Sequence, residues 1–81
     1  MISPDDLRRL LGADEKDAIL VLVEGRIEVI GAGKLASEPY RGALEIVSRD
    51  DLVRRVGEEP SDLDLTSQAV ALDTAVAELG G

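Results

Sequence analysis

The chain contains no cysteine, no histidine, no tryptophan and no phenylalanine, and Tyr40 is its one aromatic residue. Each absence removes a class of chemistry. Without cysteine there are no disulfides and no thiolate metal sites, and cysteine usage sets no redox compartment. Without histidine the commonest general acid–base group and the commonest transition-metal ligand are gone. Nucleophile–histidine pairs cannot be assembled within the chain. Long apolar runs are missing as well. The longest, Ala18 to Val23, has six residues, whereas a helix needs about 20 to cross a bilayer. The segment Met1-Ile2-Ser3-Pro4-Asp5-Asp6 runs straight into acids and does not read as a secretory leader. These features predict a soluble, cytoplasmic, non-enzymatic protein with no membrane segment.

What the chain does have is aliphatic. Leu, Ile and Val make up 25 of its 81 residues. That length implies one domain, close to the lower limit at which a single core suffices. Small aliphatic cores gain from burial at a dimer interface, so a homodimer is expected.

Charge is unevenly placed. Residues 1–57 carry 11 acids and nine bases, close to balance, while residues 58–81 carry six acids and no base. The net charge of −8 argues against nucleic-acid binding through phosphate contacts and suits a basic protein partner.

Two ten-residue stretches, SPDDLRRLLG at 3–12 and SRDDLVRRVG at 48–57, agree at six positions. Each has a Ser N-cap, acids in the first turn, Arg near the end and a closing Gly, which is what any short helix needs. A duplicated unit, or paired arginines (Arg8-Arg9 and Arg54-Arg55) gripping an anion, are the competing readings. The sequences that follow the two copies do not match, whereas a repeat unit would extend further. The apolar faces diverge too: Leu10 corresponds to Arg55, and Arg8 to Val53. The pattern predicts two short helices, over 4–11 and 49–56, that pack differently on one sheet.

Between them, 13–17 reads as a charged connection, possessing at most a turn of helix. AILVLVEGRIEVIG predicts a hairpin turning at Glu24-Gly25. Its first strand, about 18–24, is apolar throughout up to Val23 and needs cover on both faces. Its second strand, about 26–30, alternates and is half exposed. Residues 31–42, GAGKLASEPYRG, predict a long loop with a turn near Lys34–Ser37, and loops of that length are often functional. A third strand follows at about 43–47, with Leu44 and Ile46 on one face and Glu45 on the other. After a linker at 58–62, Leu65, Ala69, Leu72, Val76 and Leu79 step by four and three, predicting a helix over 63–79 with a narrow apolar seam. The fold class is therefore α+β: a three-stranded antiparallel sheet packed by short helices in the order α-β-β-β-α-α. Residues 1–57 form its body.

Catalytic, cofactor and metal motifs are incomplete. Gly33-Lys34 is followed by Leu35 and preceded by Glu28 where a phosphate-binding loop needs Ser or Thr and Gly. The Asp pairs at 5–6 and 50–51 are helix-start acids, and calcium-loop spacing is absent. No catalytic residue, cofactor or metal ligand is expected. Tyr40, beside Arg41 in the loop, either anchors a partner or lids the aliphatic core.

The segments VEGRIEV and EIVSRDDLVRRV, after a short capped helix, loosely resemble the antitoxins of the prevent-host-death family. That resemblance implies a hairpin, a strand entering a Ser-capped helix, and a C-terminal segment that wraps a toxin. The chain departs from it in the 31–42 loop and in its lack of a basic body, which weighs against the DNA-binding half of the likeness. The leading functional expectation is a small acidic interaction or regulatory module, antitoxin-like or inhibitor-like, that binds a protein partner through its C-terminal helix. Its expected contact residues are Tyr40, Arg41, Leu65, Leu72, Asp73, Val76, Glu78 and Leu79. The same helix seam would alternatively complete the domain's own core or pair with a second copy. A self-associating scaffold subunit and a small ligand- or phosphate-binding domain using the 31–42 loop are the alternative functions.

Overall fold

The structure, a computed structural model, describes residues 2–78. Its centre is a strand with no polar side chain. β1 (Ala18–Val23) lies between β2 (Arg26–Gly31) and β3 (Leu44–Ser48) in an antiparallel sheet of order β2-β1-β3. The hairpin between β1 and β2 closes through Glu24 and Gly25, whose φ angles are 50° and 78°. Positive φ at both central residues is what a two-residue turn matched to strand twist requires. Gly31 ends β2 beneath the carboxylate of the exposed Glu15, whose flexible side chain would have to swing aside for a Cβ at that position.

Alternation along β1 divides the sheet into two faces. Leu20 stands beside Val29 and Val47, and Leu22 beside Ile27 and Leu44. This face is covered by helices. On the other, Ile19, Val21 and Val23 join Ile30 in a second, smaller apolar cluster. The strand alternation expected for β3 is interrupted. A bulge leaves Ile46 unpaired between Glu45, opposite Val21, and Val47, opposite Leu20. The extra residue lets both Ile46 and Val47 join the helix-side core.

The helices are α1 (Pro4–Leu11), α2 (Arg49–Val56) and α3 (Asp62–Glu78). The order α-β-β-β-α-α and the α+β class are as the sequence predicts, with ends shifted by a residue or two. The connection at 13–17 contains no helix. All three helices begin with the same chemistry. Asp6 N–H donates to Ser3 Oγ at 3.2 Å, and Ser3 N–H donates back to Asp6 Oδ2 at 2.9 Å. Ser61 and Asp64 repeat this reciprocal pair at 3.1 Å each way. In α2 Asp51 N–H donates to Ser48 Oγ at 3.1 Å. The spacing Ser-x-x-Asp therefore marks every helix start, with Asp standing where a capping box usually has Glu or Gln.

The twin helices do pack differently. α1 crosses β1 and β2 and fully buries Leu7 and Leu10; α2 lies over β3 and β1 and fully buries Leu52 alone. Arg49, the residue of α2 that replaces Pro4 of α1, donates from Nε to the Leu11 carbonyl at 3.1 Å. The second helix thus helps satisfy the free carbonyls at the end of the first.

Residues 32–43 hold two short 3₁₀ turns, Ala32–Ala36 and Glu38–Tyr40. They fold across the second sheet face as a lid, packing Leu35, Tyr40 and Ala43 on its apolar cluster.

Because corresponding positions of the twin segments have opposite environments, equivalent truncations should differ sharply. Leu10→Ala should cost about 2–5 kcal/mol, whereas Arg55→Ala, at the matching but exposed position, should stay within about 0.5 kcal/mol. Urea denaturation followed by circular dichroism measures both.

Candidate protein-interaction surface

No pocket opens among the described residues, and no group of three or more acids there is placed to hold a metal ion. No helix among them is long and apolar enough to cross a membrane. The sites to weigh are surfaces, and two carry the sequence-expected residues: the lid and α3.

In the lid, Tyr40 is half-buried and its hydroxyl donates to Glu28 Oε1 at 3.0 Å. Glu28, on β2, also accepts from Arg26 Nε. The Arg26 guanidinium, and after it the Tyr40 hydroxyl, hold the Glu28 carboxyl below its ordinary value. The same carboxylate raises the Tyr40 phenol above its ordinary value. Arg41 pairs with Glu38 at 3.2 Å across one turn. Tyr40 thus acts as a latch for the second core.

The apolar seam of α3 is turned inward. Leu65, Ala69 and Leu72 are only 2–4 % exposed and belong to the same core as Leu7, Leu10, Leu20 and Val47, with Val76 packed against it. Leu65 and Leu72, expected at a partner contact, are instead closed inside their own chain. The reason is the area left open by α1: its two core leucines need a third layer, and α3 packs directly along α1. Nor does α3 stand off as an arm. Asp73, also expected at a contact, accepts the Ile2 backbone N–H at 2.9 Å. Asp62 pairs with Arg8, whose own proton affinity it raises. Two of the six C-terminal acids therefore fasten the helix to the body. Glu78 is exposed, and Leu79 lies outside the described residues.

The outward face of α3 is where sequence reading missed a feature. Leu63 is 75 % exposed and Val70 62 %, and they are the exposed large apolar side chains among the described residues. Seven residues apart, they stand on one face about 10 Å from each other. Thr66, Ser67, Ala71, Thr74 and Ala77 around them are exposed as well. From Leu65 to Leu72 there is no charged residue. A surface helix normally shows charge on its solvent side; this one is apolar or neutral all round at its centre. The spacing was visible in the sequence, because Leu63 and Val70 fall outside the inner seam by the same heptad count that defines it.

Comparison with protein-family models, curated proteins and solved structures returned no match. The comparisons lend nothing to the antitoxin likeness, and the surface has to be read from its own chemistry.

Two measurements separate these roles. Leu65→Ala should destabilise the fold by about 2–5 kcal/mol, while Val70→Ala should leave it within about 0.5 kcal/mol, both by urea denaturation. For the latch, the lowered Glu28 pKa means stability fully present above the ordinary glutamate value of about 4.3 and lost as pH falls through the lower, folded value. Carboxyl-detected NMR should show Glu28 titrating below the ordinary value, and Tyr40→Phe should move that midpoint upward.

Proposed function

We propose that the chain is a small acidic protein-interaction module of regulatory or inhibitory type, with no catalysis of its own. Its partner docks on the outward face of α3, rather than on the seam that the sequence pattern favours. One observation carries this reading: Leu63 and Val70, the exposed large apolar residues among those described, share one uncharged helix face. Such a patch, when it is not solitary scatter, marks a contact surface. Its surroundings say which kind. Every charged residue from 58 onward is an acid, so the rim repels acidic surfaces and attracts basic ones. The same rim disfavours α3 pairing with α3 of a second copy, since only like charges would meet.

The test is site-specific photo-crosslinking in the native cell. A photoreactive residue at position 63 or 70 should capture a basic protein, and one at position 54, on α2, should not. The double change Leu63→Ser with Val70→Ser should weaken binding of the captured protein by at least about tenfold. Equal capture at position 54, or undiminished binding by the double variant, overturns the proposal.

A further inference from the structure

We infer that the element seated on this face is itself an α-helix, with large aliphatic side chains along an uncharged centre and Lys or Arg at both ends. The inference rests on the outward-face reading above and narrows it to one class of ligand. Three observations carry it.

The first is spacing. Leu63, Ser67, Val70, Thr74 and Ala77 step by four, three, four and three, and all are exposed. This is the cadence of the inner seam, repeated on the far side of the same helix. A row of that period stays in contact over its whole length only with a second helix crossing at about 20°. A strand or loop would meet it for a turn or two.

The second is side-chain size. Apart from Leu63 and Val70, the row and its neighbour Ala71 are small residues, so the face offers holes more than knobs. The knobs then come from the partner, as Leu, Ile or Met. Two copies of this face would set small side chains against small ones and bury little.

The third is where the charges fall. Asp73 is half-buried and turned onto the Ile2 N–H, so the acids bounding the outer row are Glu78 and Asp64, which is exposed even though its Oδ2 caps the helix at the Ser61 N–H. They are 14 positions apart in the sequence, about 21 Å along a helix. An occupant matched to them carries its bases about four turns apart, with nothing charged between. The centre can then be desolvated without burying an ion, while the rim pairs set register and speed encounter. A second copy would bring Asp64 or Glu78 against its own kind.

The experiment uses the full chain, isotopically labelled, and a synthetic peptide as probe. The peptide has about three heptads with Leu or Ile at the seam positions and Lys in its first and last turns. A control peptide carries Glu in place of those Lys residues. The Lys-ended peptide should bind saturably and shift the amides of Leu63, Ser67, Val70 and Thr74. The Glu-ended peptide should bind at least about tenfold more weakly. The double variant Leu63→Ser with Val70→Ser, with an unchanged far-ultraviolet spectrum, should weaken the Lys-ended peptide by a similar factor. Equal binding of the two peptides, shifts confined to another face, an unaffected double variant, or no saturable binding each overturns the inference. A cellular protein that crosslinks at positions 63 and 70 while the Lys-ended peptide fails to bind defeats the helix alone. Failure of both removes the docking face as well.

Discussion

A strand without a single polar side chain has one stable place, the middle of a sheet with both faces covered. β1 is that strand, and the rest of this small protein is arranged to cover it. Its neighbours β2 and β3 satisfy its backbone on both sides. α1 and α2 close one face, and α3 deepens that layer. The other face carries a smaller apolar cluster. It is closed by the 3₁₀ segment and its tyrosine. The lid is thus the economical answer to a burial requirement set by six consecutive apolar residues.

α3 has a double character that follows from its composition. A helix apolar on one stripe needs one neighbour; a helix with a second, opposite row that is uncharged and carries exposed Leu63 and Val70 has a further face unaccounted for. The inner row is spent on the core, and its placement is fixed by Arg8–Asp62 and by the Ile2–Asp73 hydrogen bond. Those contacts convert two of the acids that look free in the sequence into fasteners. What remains outward is a neutral centre between acidic ends, held on a rigid element. Rigid presentation matters for recognition, because a surface that is already ordered loses less freedom on binding.

Much of the fold was legible in the residues because local signals agreed with one another. The Ser caps, the Glu24-Gly25 turn and the two kinds of strand pattern each pointed to the observed element. Ser61-x-x-Asp64 announces the start of α3 by the rule already met at Ser3 and Ser48, and reading it as linker placed that start one residue late. The β3 bulge was not legible. Whether Val47 faces the helices depends on how β3 pairs with β1, and no short-range signal encodes the extra residue at Ile46. The site was the least legible part. The period of Leu65, Ala69, Leu72 and Val76 says that they bury together, not against what. Sequence distance hides that α1, some 60 residues earlier by its numbering, supplies the facing surface. Choosing between own core and foreign partner was a tertiary question. The residues that stayed outside, Leu63 and Val70, drew no notice because two apolar residues do not make a conspicuous pattern.

Tyr40 gives the molecule an unusual optical property. With no tryptophan and one tyrosine, all near-ultraviolet absorption and emission of the side chains originate from the latch between lid and β2. The helices, by contrast, dominate the far-ultraviolet signal. The two spectral windows therefore look at two different apolar clusters, separated by the thickness of one sheet. Coincident melting in both would make the lid part of the cooperative unit. An earlier loss in the near-ultraviolet would mean that the lid opens as a unit of its own, leaving the helical side intact.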